Sequence, residues 1–522
     1  FFFQFGVMVS AAVLISLFVS FTLDPMLSSV WYDPQAHGNG RFARIVNGAQ
    51  EKANGVYRVV LGWALRWPKL TLLIALGTFV ASFALPKYIG FEFVPQADLG
   101  EQVVSIETPV GSSLEYTEAK LRQVDAALRE FPEIEYTYGT VNTGYANGKN
   151  QGSLYLKLKP LKQRKRSPDQ LAQPIRERLA SIPGILVSIN IPGGPGGGVQ
   201  KQLQLSLQGP DTNTLDALSQ DVMKRAAAIR GIVDLDRNLK AAKPILSVRL
   251  RRDAASDLGL GTAAVAQSLR PLFAGDETSL WRAPDGENYM VMVRLPTDDR
   301  TGIADLHRVW FTAGTEANGL PRMVHIAQIA DVVTDVGASQ INRRDLNREV
   351  QITANVYGRS AGEVSSDLQK VLTEIKLPPG YRFVFGGSTK DMAESAAYAG
   401  QALLMAVILI YLILASQFGS FLQPIAIMMS LPMSLIGVFL GLLIAGTTLN
   451  IFSAIGFIML MGLVTKNAIL LVDFFNQARE RGTPVNEALL EAGSIRLRPI
   501  LMTTLAMVFG MMPLALGLGE GA

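Results

Sequence analysis

The sequence predicts an α-helical membrane bundle joined to α+β domains outside the membrane: two ferredoxin-like βαββαβ units, one interrupted by an inserted domain. Three observations lead to this fold class. The 522 residues are 49% hydrophobic and 18% charged, a balance typical of membrane spans combined with soluble domains. Six separate apolar segments are long enough to cross a bilayer. Between the second and the third lies a polar tract of about 300 residues, in which short strands alternate with amphipathic helices.

The composition excludes several kinds of site. The chain has no cysteine, which rules out disulfides, thiolate metal ligands and cysteine nucleophiles. Its three histidines, His37, His307 and His325, are too scattered for a metal site, and we expect no metal and no other cofactor. The net charge of +4 is small for this length and does not favour nucleic acid as a partner. The chain begins with Phe-Phe-Phe and lacks an initiator methionine, so we expect a piece of a longer protein.

The first two spans enclose a basic segment. The spans are predicted over residues 1–23 and 70–86. The residues between them, 24–69, include few acids and the basic side chains of Arg41, Arg44, Lys52, Arg58, Arg66 and Lys69. Basic loops stay in the cytoplasm, so this segment is predicted to be cytoplasmic, with a helix lying on the membrane surface in its middle. The tract after the second span then lies on the other side of the membrane.

The outer tract begins with one βαββαβ unit over residues 98–190. Alternation of apolar and polar residues indicates strands, and apolar residues at intervals of three and four indicate helices. The predicted strands are 103–108, 134–140, 153–159 and 185–189, and the predicted helices are 113–130 and 168–180. This order is that of the ferredoxin-like fold.

A second unit of the same kind is divided in the sequence, over residues 199–235 and 344–388. Its predicted strands are 203–207, 232–235, 349–357 and 381–385, and its predicted helices are 213–229 and 361–375. Residues 236–343 form an insertion between its halves, with predicted strands at 245–250 and 288–294 and a helix at 262–273. An insertion into one of two repeated units is an unusual arrangement, and it narrows the choice of fold.

Four further spans follow, over residues 397–416, 424–445, 451–476 and 497–516. If the outer tract lies outside the cytoplasm, the segment between the last two spans lies inside. That segment carries Arg479, Arg481 and Arg496, so the charge distribution and the number of spans give the same orientation.

Lys466 is the main candidate for a functional residue, because it lies inside the apolar run 451–475. A charged side chain at the centre of a membrane helix costs roughly 2.5–3.5 kcal/mol, so it is expected to face a polar partner or a water-filled path. Arg479 is ~20 Å further along the helix, which places Lys466 near the middle of a ~30 Å hydrocarbon core. The alternative is a lysine whose stem extends along the helix to the headgroups.

The chain offers Lys466 few partners. Asp473 lies on the same helix face but roughly 10 Å away, too far for direct pairing. No other acid lies in a span at that depth, so we expect the counter-ion on a helix outside this sequence. Thr503 and Arg496 are the remaining polar candidates. Their structural alternatives are a hydroxyl that bonds to its own helix for Thr503, and interfacial anchoring for Arg496 and Asp473.

Three motifs carry a resemblance to a known family. They are Gly-Leu-Val-Thr-Lys-Asn-Ala-Ile-Leu around Lys466, Arg-Leu-Arg-Pro-Ile-Leu-Met-Thr ending at Thr503, and Phe93-Val94-Pro95. With these motifs and the divided outer unit, the chain resembles the resistance-nodulation-division multidrug efflux pumps of Gram-negative bacteria. The resemblance covers essentially the whole chain and corresponds to the second half of such a pump, from its sixth to its eleventh transmembrane helix. It implies an antiporter of the inner membrane that exchanges protons for amphiphilic compounds, and no enzyme activity.

The resemblance also assigns roles. Lys466, Thr503 and Arg496 would form a proton relay with two aspartates on the family's fourth helix, which this sequence lacks. Residues 98–190 would be one periplasmic porter subdomain, 199–235 with 344–388 a second, and 236–343 the docking domain. Such pumps are homotrimers that work with a periplasmic adaptor and an outer-membrane channel. The predicted substrate contacts are Tyr145 and Tyr155, because the loop where multidrug pumps carry several phenylalanines has only Tyr145, with Tyr155 just beyond it.

Three other functions compete with this interpretation. A metal-exporting member of the same family would need clustered methionines in the outer units, and the first unit has none. A proton-driven relative that assists protein export or lipid transfer would share the membrane part but lack so large an insertion. A membrane-anchored enzyme would need a convergent nucleophile and base, or a metal site, and the sequence shows neither.

Overall fold

A computed structural model describes residues 2–31, 41–95, 98–192, 200–315 and 319–516. Its α-helices are α1 (Phe2–Val30), α2 (Arg41–Arg66), α3 (Pro68–Ser82), α4 (Leu114–Leu128), α5 (Pro168–Leu179), α6 (Thr212–Ala226), α7 (Arg252–Asp257), α8 (Thr262–Phe273), α9 (Ile303–His307), α10 (Ile326–Ile329), α11 (Ala361–Thr373), α12 (Gly387–Phe418), α13 (Gln423–Met428), α14 (Ser430–Ala445), α15 (Ile451–Glu480) and α16 (Val485–Ala515). Its strands are β1 (Glu101–Glu107), β2 (Ile134–Val141), β3 (Gln151–Leu158), β4 (Leu186–Asn190), β5 (Leu203–Gly209), β6 (Ile232–Arg237), β7 (Lys243–Leu250), β8 (Asp276–Arg282), β9 (Asn288–Val293), β10 (Trp310–Thr315), β11 (Pro321–His325), β12 (Ala330–Gly337), β13 (Asn342–Arg344), β14 (Asn347–Val356) and β15 (Arg382–Gly386).

Six helical segments in the described residues are long and apolar enough to cross a membrane, which confirms the predicted number of spans. They are α1, α3 with the turn that follows it, α12, α13 with α14, α15, and α16. Their ends follow local sequence signals. The Asn450 side chain caps α15 by accepting from the backbone N–H groups of Phe452 and Ser453, at 3.0 and 3.1 Å. Gly419 and Gly446 end α12 and α14 in the left-handed conformation, with φ of 57° and 64°.

Two helices extend further than the apolar pattern indicates. α15 continues to Glu480 and α16 begins at Val485, so the expected loop 476–496 is reduced to residues 481–484. α12 begins at Gly387, directly after β15, where the span was predicted from residue 397. Helical hydrogen bonding continues through polar sequence in both places, and apolar composition therefore marks the membrane core rather than the helix ends.

The first outer unit contains β1 to β4, α4 and α5, in the predicted order β-α-β-β-α-β. Its four strands form an antiparallel sheet in the order β2-β3-β1-β4. The helices cover one face, and their core with the sheet includes Leu128, Leu156, Leu171 and Ile175, all with no exposed surface. Each such side chain contributes roughly 1.5–3 kcal/mol through burial. The opposite face of this sheet carries Tyr138 and Tyr155.

The second outer unit has the same order of strands. β14 pairs with both β6 and β5, and β5 pairs with β15, which gives the order β6-β14-β5-β15. α6 and α11 pack on this sheet, with Val222 and Leu368 in their shared core. The short strand β13 extends the sheet beside β14.

The insertion between β6 and β14 has a separate core. β7 and β12 pair along their length, from Lys243 opposite Gly337 to Leu250 opposite Ala330, and so connect the insertion to the second unit. The buried side chains of Phe311, Ile326 and Ile329 belong to the core of this insertion. The predicted helix 262–273 is present as α8, whereas β8, β10, β11, β12 and β13 were not among the predicted strands.

Candidate functional site

Lys466 lies near the middle of the 30-residue helix α15, and its side chain is exposed. Its neighbour Thr465 is 5% exposed and donates its hydroxyl to the carbonyl of Met461 at 3.1 Å. Among the residues that the structure describes, Lys466 has no hydrogen bond and no ion pair. The lysine therefore lies at mid-helix on the exposed face of α15, next to the buried face that carries Thr465.

Thr503 lies on α16, the helix that follows α15. α15 and α16 are joined by the short turn 481–484 and run antiparallel. The guanidinium carbon of Arg496 lies 5.3 Å from the ring centre of Phe474, a side-chain contact between the two helices. The Thr503 hydroxyl donates to the carbonyl of Ile500 at 3.1 Å, within its own helix.

The Arg496 guanidinium lies beside Phe474, which is eight residues from Lys466, or ~12 Å along the axis of α15. The Nε atom of Arg496 is buried and has no hydrogen-bond partner among the described residues. Asp473 accepts a hydrogen bond from the side chain of Gln477 at 2.9 Å. The structure thus has Lys466 on α15 and both Thr503 and Arg496 on the adjacent α16.

The two predicted tyrosines lie near each other on the first outer unit. Tyr155 is on β3, on the sheet face away from the helices, with its ring centre 6.4 Å from that of Tyr136. Burial, together with a hydrogen bond to Glu101, raises the pKa of Tyr155 to about 12. Tyr145 is in the loop between β2 and β3, and half of its surface is exposed. Both side chains offer aromatic surface with one hydroxyl each.

Tyr145 also lines a cavity of about 230 Å³ between the two outer units, the inter-unit cavity. Its polar lining comes from both units and includes Glu107, Asn190, Lys201, Asp234 and Asp236. Burial lowers the pKa of the Lys201 amine, whose Nζ donates to the backbone carbonyl of Asp234 at 2.6 Å. Sequence reasoning missed these residues. The available signal was the pair of acids in Ile-Val-Asp-Leu-Asp-Arg, two residues apart in a short apolar stretch that forms β6.

A buried ion pair joins the two outer units beside this cavity. Arg176 on α5 donates through Nε and Nη2 to the two carboxylate oxygens of Asp234 on β6, both at 2.8 Å. The side chains are 14% and 5% exposed. The same carboxylate accepts from the backbone N–H of Ile189 at 3.1 Å and from the side-chain amide of Asn355 at 2.9 Å. Asp234 therefore connects three elements from the two units.

A second ion pair also joins the two outer units. The Lys240 amine lies 2.9 Å from Glu107 of the first unit and 2.8 Å from Asp236 of its own unit. Burial acts against the charged amine, but the hydrogen bonds to Asp236 and Glu107 outweigh it and raise the pKa of Lys240. The charges that border the inter-unit cavity are thus largely paired within the protein.

The outer units are also hydrogen-bonded to the membrane helices. The backbone N–H groups of Leu449 and Ile451 donate to the carbonyls of Gly90 and Phe93, at 2.8 and 3.1 Å. The carbonyl of Phe91 accepts from the N–H of Gly362 on α11 at 2.8 Å. The start of α15 is therefore connected through residues 90–93 to a helix of the second outer unit. An apolar cavity of about 320 Å³ lies beside this junction, between α12, α14 and α15.

Comparison with known proteins gives one family. The profile of the AcrB/AcrD/AcrF family matches residues 1–522. The multidrug resistance protein MdtC of Klebsiella pneumoniae strain 342 is 28% identical over 531 residues, which are 99% of this chain and 50% of that protein. MdtC from a second Klebsiella pneumoniae strain is also 28% identical, over 532 residues. The chain spans about half the length of these curated relatives.

Solved structures share the fold. Crystal form I of a heavy metal efflux pump superposes with a TM-score of 0.79 at 24% identity, covering 91% of this chain and 49% of the pump. Crystal form II gives a TM-score of 0.77 at the same identity, covering 89% and 48%. At this level of identity the likeness concerns the fold and not the transported compound.

Proposed function

Because the chain belongs to the AcrB/AcrD/AcrF family, we propose that it is the second half of an inner-membrane pump that exports amphiphilic compounds in exchange for protons. One observation carries the proposal: Lys466 stands at mid-helix in a candidate span without a counter-ion among the described residues. A charge of this kind in a span is expected to take part in ion movement. Its counter-ion would be an acid on a helix of the other half.

The relay acts by switching the charge of that acid. When the acid is ionised, it pairs with Lys466 and holds α15 in place. When a proton binds to it, the pair is lost and the bundle rearranges, as in other alternating-access transporters. A proton that moves down the potential releases ~2.3 kcal/mol per 100 mV, enough for roughly a 40-fold concentration ratio of exported compound before losses.

Backbone hydrogen bonds support a route from α15 to the outer units. A shift at the start of α15 moves Leu449 and Ile451, and with them residues 90–93 and Gly362 of α11. The second outer unit is also continuous with the membrane, because α12 follows β15 without a linker. We assign the two outer units as ferredoxin-like porter subdomains, supported by their identical strand orders. Residues 236–343 would be the docking domain of a homotrimer that works with a periplasmic adaptor and an outer-membrane channel.

The substrate class is supported by the inter-unit cavity and the tyrosines beside it. Its lining contains no methionine, cysteine or histidine among the described residues. No group of three or more His, Cys, Asp or Glu side chains in the described part of the chain is placed to hold a metal ion. Aromatic surface from Tyr145 and Tyr155 suits flat amphiphilic compounds. Export of a heavy metal is the second candidate, favoured by the fold shared with a heavy metal efflux pump.

Replacement of Lys466 tests the proposal in the full-length pump. Lys466→Ala is expected to raise dye accumulation to the level of cells without the pump, at normal protein levels. The control is Lys370→Ala, because Lys370 is an exposed lysine of α11 with 75% of its side chain accessible. Unimpaired efflux by Lys466→Ala would refute the relay. Resistance of the cells to dyes, detergents and antibiotics would support export of amphiphilic compounds. Resistance to metal salts alone would support export of a heavy metal.

A further inference from the structure

Helix α2 has an apolar face that no element of the described chain covers. Its exposed apolar side chains recur at intervals of three or four residues, so they share one face: Val56, Val59, Val60 and Trp63, with Trp67 directly after the end of the helix. They are between 45% and 73% exposed. α2 is not among the six candidate spans. A helix of this kind lies in the plane of a membrane surface with its apolar face in the acyl boundary.

A second flank of α2 packs on α16. Gly493 is buried, and a Cβ atom added to it would lie 2.7 Å from the Tyr57 ring and 3.1 Å from Leu61. The contact therefore requires glycine at this position. Next to it, Arg58 Nε donates to the Ser494 hydroxyl at 3.0 Å. α2 is thus held against α16 within one turn of Arg496.

Basic side chains lie on and beside the apolar face of α2: Lys52 shares this face, four residues before Val56, and Arg44 and Arg66 lie at its edge. Arg44, Lys52 and Arg66 are exposed, and none of the three forms an ion pair with any residue that the structure describes. The single acid of α2 is Glu51. Unpaired basic side chains beside an apolar face match the negative headgroups of an anionic leaflet, and each strengthens binding by about fivefold.

We propose that α2 binds anionic phospholipid headgroups through Arg44, Lys52 and Arg66, and that lipid-bound α2 fixes the position of α16 through the Tyr57–Gly493 contact. The partner is the lipid surface of the cytoplasmic leaflet. Lipid binding is independent of the proposed transport. The effect on α16 rests on the proposed function, because Arg496 and Thr503 are the residues that α16 would position.

Tryptophan quenching in the purified full-length protein tests the binding. Brominated phosphatidylglycerol should quench the fluorescence of Trp63 and Trp67 more strongly than brominated phosphatidylcholine. The fluorescence of these two residues is identified as the part that the double variant Trp63→Phe/Trp67→Phe loses. The triple variant Arg44→Gln/Lys52→Gln/Arg66→Gln should weaken the preference on the order of 100-fold. The control replaces exposed arginines of the outer units: Arg122→Gln/Arg129→Gln/Arg308→Gln. Equal quenching by the two lipids, or an unchanged preference in the triple variant, overturns the proposal.

Transport in vesicles tests the effect on α16. With the wild-type pump, phosphatidylglycerol added to phosphatidylcholine vesicles should raise dye transport several-fold. Gly493→Ala should remove most of that increase, whereas Gly510→Ala on the same helix should keep it, because a Cβ there meets nothing within 4 Å. Lipid-stimulated transport by Gly493→Ala at the wild-type level overturns the link to α16. If the wild type transports no dye in either lipid, the proposed function fails, and the quenching result still decides the binding.

Discussion

Substitution of Asp234 by Asn tests whether the buried ion pair holds the two outer units together. Asp234 has φ of 52°, a conformation that Asn tolerates as well as Asp, so the substitution removes charge without new backbone strain. The Arg176 side chain, of which only 14% is exposed, then lacks its counter-ion. An uncompensated charge of this kind costs about 3–5 kcal/mol. Screening by solvent does little to reduce this cost, because both side chains are buried.

Hydrogen exchange followed by mass spectrometry measures the effect where it arises. If the free energy of opening the junction falls by about 3 kcal/mol or more, the backbone amides of β4 and β6 should exchange at least about 100-fold faster. The amides in the core of the insertion should stay protected. Arg178→Met is the matched control on the same helix. It removes an ion pair with Glu130 whose side chains are 40% and 57% exposed, and such solvent-screened pairs contribute little to stability. Equal effects of Asp234→Asn and Arg178→Met would show that the buried pair does not hold the junction.

Two further substitutions test the packing and the charges of the outer units. Gly209→Ala should destabilise the second unit by about 1–3 kcal/mol in thermal unfolding, because the new Cβ would lie 2.2 Å from the Tyr381 ring. Gly261→Ala is the control and should not destabilise it, because a Cβ there meets no atom within 4 Å. Glu133 pairs with Arg166 at 2.7 Å, so Glu133→Gln should lower the free energy of unfolding by about 1 kcal/mol at pH 7. A larger loss at pH 4 than at pH 7 would contradict a stabilising role of the ionised Glu133. The hydrogen bond to Arg166 lowers the pKa of Glu133 below 4.5, so its stabilisation is present above pH 4.5 and disappears as the pH falls through the lowered pKa.

Spans and strands were predictable where a local pattern specifies them. The Ile451–Glu480 helix was recognised from its apolar run, and β1 was predicted within two residues at each end from its short apolar stretch of Val103, Val104 and Ile106. β8 was missed: Asp276–Arg282 is exposed along most of its length and is ordered by pairing with β9. Its strand state depends on a partner, which a single-sequence pattern does not contain.

The junction of the outer units was beyond sequence reasoning for a different reason. Arg176 and Asp234 are far apart in the chain and meet only when two separately folded units pack together. Nothing local distinguishes Arg176 from Arg178, two residues later on the same helix, although one is buried in an ion pair and the other is on the surface. The membrane residues differ in this respect, because the cost of a charge in a span marks Lys466 without any knowledge of its neighbours.

The position of the Arg496 side chain also constrains the order of the proposed relay. Its guanidinium lies beside Phe474, ~12 Å from Lys466 along the axis of α15 and toward the α15–α16 turn, and its Nε has no partner among the described residues. The Thr503 hydroxyl donates to the carbonyl of Ile500 in its own helix, so it must leave that bond before it can donate to another group. Because the Arg496 guanidinium does not reach Lys466 in this arrangement, we expect the two residues to act at separate steps. Arg496→Gln should therefore leave the pH dependence of transport unchanged, whereas Lys466 variants should alter it.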